Sequence, residues 1–593
     1  MPNNLNNNLP DFEPQPMVGW FDISQLAKTG VKSVISGVFG TFADKRETLG
    51  ALNEEICFDY SSSKELWIDY MSDTGDGFDS TYTMAHLLAQ KELKVDGIAD
   101  SLPASKILIL GGDQVYPSAT RSDYKNRFEG PFDSAFPRNK GIDEREMFVV
   151  PGNHDWYDGL NNFSKLFLQN RTLGNWKTCQ NRSYFAIKVT DDVWIWAIDI
   201  QLDADIDHPQ MNYFGNFVSS KMKEGDQVIL CTAEPSWVYS NTVKDNTSYH
   251  NLKFFENYFI VNVKEDPSKK KFKLIANLTG DLHHYSHYCS KDPNDPKNKK
   301  FHKITSGGGG AFLHPTHNLP ISLTGLREGG DFELQKTFPS KEDSKKLVWK
   351  NVLFPKYNWS FGLFIAGIFV LFDWLLNIYS RFLVFEKETN VDLITQMKIT
   401  GFTHLTEIAG LYIKTISNCP PSLILLIVLV IGLYKFCDTK SSKSKFIWIL
   451  GIIHGLIQAL WMGVSFWLFS FINHLILAPS YGSFLENTTR VSVLTLMEVF
   501  LFAGPVINLI MGLYLIITNR FFNIHDNEAF SSIKIENYKN FLRMHFTKDQ
   551  LVIYPIGVRE ISKWQWNPAT KTFITKKLPS IELIENPIKI SLK

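Results

Sequence analysis

The sequence predicts an α/β domain, then a helical membrane module of about four spans, then a small C-terminal tail. Three observations carry that reading. Between residues 66 and 284, short apolar runs rich in β-branched residues end repeatedly in Gly followed by Asp, Asn or His. A helical pattern lies among them at 80–92, where Tyr82, Met84, Ala85 and Leu88 share one face. Four apolar runs then follow between residues 359 and 518.

Taken in order, residues 1–55 are a lead-in, in which Gly37-Val-Phe-Gly-Thr41 reads as a loop or short helix. The α/β region is expected over 56–345. Its first strand, from Leu66, closes in Asp73-Thr74-Gly75-Asp76, and a second, from Lys106, in Gly111-Gly112-Asp113. A third, Phe148-Val149-Val150, is broken by Pro151 and Gly152 and followed by Asn153-His154-Asp155. Residues 194–199 and 227–232 read as further buried strands, and 273–279 leads into Gly280-Asp281-Leu282-His283-His284. In open α/β sheets ligands bind beyond such strand ends.

The expected spans are about 359–379, 421–437, 446–477 and 491–518, with a kink at Gly504-Pro505. The second is short and spans only with flanking residues. Buried core helices are the alternative, which four runs rich in Trp and Phe disfavour. Lys345, Lys346, Lys350 and Lys356 precede the first run, and Lys435, Lys440, Lys443 and Lys445 lie between the second and third. The positive-inside rule then puts the α/β domain and the 521–593 tail in the cytosol. The tail contains Tyr538–Arg543 and a strand-like Leu551–Gly557. Asp373 and Glu498 are costly in lipid: each marks a polar site between helices or, for Asp373 near a span end, reaches the interface. His454 and Gln458, one turn apart, are placed to pair across helices.

Composition narrows the function. Formal net charge is zero, which gives no global electrostatic case for nucleic acid. Six scattered cysteines without Cys-x-x-Cys read neither as a disulfide framework nor as a zinc–thiolate site. The Asn-rich start lacks the basic and apolar regions of a signal peptide. A glycan on the Asn277 sequon, inside a predicted strand, would be hard to place, in keeping with a cytosolic domain.

The succession Asp73, Gly112-Asp113, Gly152-Asn153-His154-Asp155 and Gly280-Asp281-Leu282-His283 resembles the metallophosphoesterase (calcineurin-like phosphoesterase) superfamily. The resemblance implies a two-sheet α/β sandwich with two divalent metal ions, a metal-activated water as nucleophile and a phosphate mono- or diester as substrate. It implies that Asp73 and His283 bind the first metal, Asp113 bridges, and Asn153 binds the second. His154 would assist the leaving group and Asp155 would orient it. Three positions depart from the family. Its Asp-x-His is Asp73-Thr74-Gly75 here, with Asp76 as the substitute carboxylate. Its lone His falls near Cys231–Pro235, where Glu234 is the stand-in. Its Gly-His-x-His has Asp281 for the first imidazole. An oxygen-rich set favours Mn²⁺ or Mg²⁺ over Zn²⁺, with Fe possible.

His284 and His287 either face substrate or support the fold, and His314 and His317 either line the cleft or cap it. Gly307–Gly310 is either a mobile loop or a backbone cradle for phosphate. The expectation is a membrane-tethered phosphoesterase, with a lipid-linked phosphate as a natural substrate class. The alternatives are a catalytically weak or inactive membrane scaffold of the same fold, and a transporter or channel gated by the soluble domain.

Overall fold

The computed structural model describes residues 9–28, 52–138, 144–200, 205–243, 248–262, 269–290, 301–327, 330–383, 405–439, 446–473 and 488–593, with a few single positions between. The 37–41 motif, Lys440, Lys443, Lys445 and the 474–477 end of the third expected span lie outside the described residues. Two compact units emerge. One joins Met1–Val18, Ala27–Lys345 and Lys534–Lys593; the other joins Gly19–Leu26 and Lys346–Ile533.

In the first unit the strands of the two large sheets, in chain order, are β1 (Phe58–Asp59), β2 (Glu65–Met71), β3 (Ile107–Leu110), β4 (Arg145–Val149), β5 (Thr172–Leu173), β6 (Trp176–Thr178), β7 (Phe185–Thr190), β8 (Val193–Ala197) and β9 (Gln227–Cys231). They continue as β10 (Lys273–Thr279), β11 (Tyr285–Ser290), β12 (His302–Ser306), β13 (Ser322–Arg327), β14 (Gly330–Phe338), β15 (Lys539–Thr547), β16 (Gln550–Val558), β17 (Ile581–Leu583) and β18 (Ile588–Ser591). One nine-stranded sheet has the order β1-β7-β8-β9-β10-β12-β11-β14-β13; the other runs β17-β16-β15-β2-β3-β4-β6-β5, with β18 beside β16.

The alternation of apolar residues dictates the layers. Ile68, Ile107, Ile109 and Phe148 of one sheet meet Ile187, Ile195, Ile229 and Leu278 of the other in a shared core. Their neighbours Met71, Leu108 and Leu110 point outward against Met84, Leu88, Phe128 and Phe163 of the covering helices. Those helices are α1 (Phe78–Ala89), α2, which runs from Arg121–Asp123 through a π-helical turn Tyr124–Glu129 to Gly130–Ala135, and α3 (Asn161–Phe167). The other sheet's outer face, with Trp194, Trp196 and Leu230, is covered by Phe214, Trp237 and Phe255.

The segment expected as a small tail builds the middle of a sheet. β15 pairs antiparallel with β2, Leu542 opposite Tyr70, and β16 pairs with β15. A buried fork fastens it: Arg543 donates to both oxygens of Asp69, each at 2.8 Å, and to the Pro103 carbonyl at 2.9 Å. The α/β domain is therefore discontinuous in sequence. Asn277 is buried in β10 and its amide donates to Glu256 at 3.0 Å, which leaves no room for a glycan.

The second unit is helical, with α4 (Trp359–Leu383), α5 (Leu405–Asn418), α6 (Pro420–Phe436), α7 (Trp448–Ile472), α8 (Thr488–Glu498) and α9 (Gly504–Phe522). Among the described residues three helical stretches are long and apolar enough to cross a membrane: Trp359–Ser380, Trp448–Ile472 and Val491–Phe522. The count is four if Ala409–Asn418 and Pro420–Phe436, bent by 102°, make one span. The break expected at Gly504-Pro505 is a π-helical turn at Val499–Ala503. Asp373 is fully buried rather than reaching an interface, and accepts from the Tyr412 hydroxyl at 3.4 Å. Glu498 accepts from Asn473 at 2.6 Å. Gln458 lies 3.4 Å from His454 on its own helix and donates across to the Ile507 carbonyl at 3.2 Å.

Candidate metal centre

Parallel register places the site. Met71 stands opposite Leu110, and Leu110 opposite Val149, so the chain leaves β2, β3 and β4 at one edge. β9, β10 and β12 are likewise parallel and end together. Asp73, Asp113 and Asp281 each follow such an end, and each adopts a left-handed backbone, with φ of 60°, 49° and 66°. Non-glycine residues are uncommon there, and when several cluster the surrounding structure is holding them. Gly152 leaves the room: a Cβ on it would lie 2.0 Å from Asp113 Oδ1.

Asp73, Asp113 and His283 converge on a group the sequence reading missed. The Tyr116 hydroxyl lies 3.0 Å from Asp73 Oδ1, 3.2 Å from Asp113 Oδ2 and 3.0 Å from His283 Nε2. Its signal was present, three residues after Asp113, but a phenol was not counted among the donors. Asp73 Oδ2 accepts from Ser72 Oγ at 2.7 Å and from the Asp281 amide at 2.9 Å. His283 Nδ1 faces the Phe312 carbonyl at 2.7 Å, which leaves Nε2 for the cluster. On the other flank, Asn153 Oδ1 is buried and has no hydrogen-bond partner among the described residues. Asp281 Oδ2 accepts from the Tyr239 hydroxyl, and Glu234 accepts from Ser236 Oγ at 2.8 Å. The His154 amide donates to Asp113 Oδ1 at 2.9 Å, and its ring Nδ1 lies 3.0 Å from the Pro117 carbonyl.

Several expected roles are corrected. The Pro117 carbonyl, not Asp155, orients the His154 ring. Asp155 instead ties the turn together, accepting from the Gly152 amide at 2.9 Å, the Gln114 amide at 3.2 Å and the Tyr124 hydroxyl. Asp76 does not stand in for the missing imidazole: its oxygens accept the Val18 amide at 2.7 Å and the Phe312 amide at 3.2 Å. His287 lies in β11 between Glu585 at 3.0 Å and His302 at 2.9 Å, not among the carboxylates. His284 is buried, and neither of its ring nitrogens makes a hydrogen bond among the described residues. His314 does reach the cluster, its ring 4.1 Å from that of His283, while His317 faces Ser344 at 2.9 Å.

Gly307–Gly310 is neither a mobile loop nor a phosphate cradle. The Gly307 amide donates to the His284 carbonyl, Gly309 to Ser72, and the next amide, Ala311, to Asp73. A Cβ on Gly309 would meet the Ser72 carbonyl at 2.4 Å. The run is a packed seam that fixes Asp73. β15 closes it from outside: the Asn540 amide donates to the Gly308 carbonyl at 3.1 Å, and buried Lys539 donates to the Ala311 carbonyl at 2.5 Å.

Burial, then repulsion from Asp113 and Asp281, holds the Asp73 carboxyl well above its ordinary range. Burial followed by Asp281 pushes Asp113 up to about 8. Burial also raises Asp281, and it lowers His154 to about 4 and His283 well below its usual value. Among the described residues, no three His, Cys, Asp or Glu side chains are grouped as a metal ion would require. The hydroxyl of Tyr116 stands where three of the donors meet. The residues nevertheless suit cations: three buried carboxylates crowd one another, Asn153 Oδ1 is orphaned among the described residues, and the donors are oxygen and imidazole nitrogen. Asp73, Asp113, His283 and Tyr116 would hold one ion; Asp113, Asn153 and Asp281, with Glu234 nearby, the other.

The family model of calcineurin-like phosphoesterases matches residues 66–306. No curated protein matches the chain. Among solved structures, GAP50, the anchor in the inner membrane complex of Plasmodium, is 14% identical, with 46% of this chain and 78% of that one covered and a TM-score of 0.28. The purple acid phosphatase PPD1 of yellow lupin (Lupinus luteus) is 11% identical over 47% of this chain and 50% of its own, TM-score 0.28. PhoD is 12% identical over 42% and 58%, TM-score 0.25. The chain carries a calcineurin-like phosphoesterase domain, which spans residues 66–306 and is completed in space by the strands after residue 538.

Proposed function

We propose that this chain is a membrane-tethered, metal-dependent phosphoester hydrolase. The observation that carries the reading is the convergence of Asp73, Asp113 and His283, with Asp281 beside them, at the strand ends of the domain. Bound divalent cations, with Mn²⁺ suiting the oxygen-rich set best, would neutralise the phosphate, supply hydroxide near neutral pH and align the displacement. His154 would serve the leaving group. Its Nδ1 proton is donated to the Pro117 carbonyl, so Nε2 is the nitrogen that would serve the substrate. Burial keeps the ring neutral, while Asp281 and an anionic substrate favour its protonation, as leaving-group assistance requires.

Chain closure bears on the membrane arrangement. β2 and β15 pair in one sheet although Lys346–Ile533, the main part of the helical unit, lies between them in sequence. If both ends of that segment lie on one side of a bilayer, the number of crossings is even. Three spans do not satisfy this; four do, with the bent α5–α6 pair as one. The lysine clusters favour a cytosolic side for the domain. A substrate at the lipid surface, such as a lipid-linked phosphate, follows from that tether. A cysteine-accessibility map across the α5–α6 bend that found an odd number of crossings would overturn this arrangement.

The activity test uses the full chain in detergent, with p-nitrophenyl phosphate and its bis ester in the presence of Mn²⁺. Metal-dependent turnover, lost in Asp113→Asn and His154→Ala, is expected. Turnover unchanged in both variants would rule out the assigned centre. A second reading, a catalytically weak scaffold, is favoured by the Tyr239 hydroxyl on Asp281 and by the missing imidazoles; metal binding without turnover on either ester would select it.

A further inference from the structure

The geometry points to a second anion site beside the candidate centre: the groove between α2 and α3 binds the phosphate group of a small organic ligand. The groove encloses about 690 Å³. From α2, Arg121, Lys125 and Glu129 face it at four-residue spacing; from α3 comes Lys165, and Arg171 closes one end. Tyr124 and Leu166, both buried, form the floor.

Four cations thus face one carboxylate, and that carboxylate is engaged, since Glu129 pairs with Arg171 at 3.3 Å. The other acids nearby are engaged too. Asp123 accepts from Thr120 Oγ1 at 2.5 Å and pairs with Arg127 at 3.7 Å, and Asp158 accepts from the Asn161 amide at 2.9 Å and the Asn162 amide at 3.0 Å. Arg121, Lys125 and Lys165 have no ion-pair partner among the described residues. Three unneutralised cations from two facing helices, above an aromatic and aliphatic floor, match a phosphate attached to an apolar body.

The floor also links the groove to the centre. The Tyr124 hydroxyl donates to Asp155, which holds the Gly152 and Gln114 amides on either side of Asp113 and His154. A ligand lying on Tyr124 would be one side chain away from the turn that presents His154. The source of the phosphate is a soluble organic phosphate or a lipid headgroup, and the chemistry recognised is the same.

The test uses the full chain in detergent with a chelator, so that ions at the centre do not contribute. The probes are phenylphosphonate, whose C–P bond resists hydrolysis, and phosphatidylcholine vesicles with and without phosphatidic acid. Wild type and Asp113→Asn should bind the phosphonate alike, more weakly as salt rises. The triple variant Arg121→Ala, Lys125→Ala, Lys165→Ala should bind about tenfold more weakly or worse. Lys165→Glu, a single exposed change, should weaken binding in the same direction. Binding confined to vesicles with phosphatidic acid, and lost in the triple variant, would support the site with a lipid as its source. Unchanged binding in the triple variant, or none to either probe, would overturn the site. Absence of Mn²⁺-dependent turnover would count against the hydrolase reading alone.

Discussion

The two halves of the candidate centre are furnished differently. Asp73, Asp113 and His283 present their atoms to one point, already marked by the Tyr116 hydroxyl at 3.0–3.2 Å. Across Asp113, Asn153 Oδ1 is orphaned, the Asp281 carboxylate is occupied by Tyr239, Glu234 is occupied by Ser236, and no imidazole enters. One half is a converged donor set. The other offers one orphaned amide oxygen, with its carboxylates engaged. The contrast teaches that a shared fold edge does not guarantee equal metal affinity: what counts is how many donors are brought to one place.

The largest way to break the comparison is to remove the frame both halves share. Arg543→Met leaves Asp69 buried and unpaired, which should cost about 3–5 kcal/mol and loosen β15 from β2. Denaturant unfolding of the full chain reads it. A fragment ending at residue 345 should fail to fold for the same reason, since it lacks β15 and β16. Next, Asp113→Asn removes the one ligand common to both halves. Turnover should fall by about 10²-fold or more, and titration calorimetry should show both ions weakened.

Smaller changes sharpen the contrast. Tyr116→Phe should weaken only the first ion, by about tenfold, as the loss of one donor to a charged centre implies. Equal weakening of both ions would refute the assignment of Tyr116 to one half. Tyr239→Phe releases Asp281 and should tighten the second ion about threefold, within the worth of one hydrogen bond. An unchanged second ion would mean that Asp281 does not reach it.

Local signals in the sequence carried the strand ends well. The Gly-Asp and Gly-Asn-His-Asp runs announce both the end of a strand and the donors that follow it, so Asp73, Asp113, Asn153, His154 and His283 could be named without a structure. What escaped depends on distant chain. Asp76 resembled a spare ligand because its partners, the Val18 and Phe312 amides, lie far off in sequence. The four glycines at 307–310 resembled a flexible loop because the surfaces they press against, Ser72 and Asn540, come from elsewhere. β15 resembled a tail because its partner β2 precedes it by more than 400 residues. Tyr116 was in plain view, and was passed over because its side chain is more often a core residue than a donor.

The most direct test of the account is a Mn²⁺ titration of the full-length protein in detergent, with turnover followed in the same samples. The account predicts one tight equivalent, a second weaker one, and hydrolysis that rises with the second. Two equivalents of equal affinity would contradict the contrast between the halves, and no binding at all would contradict the metal centre itself.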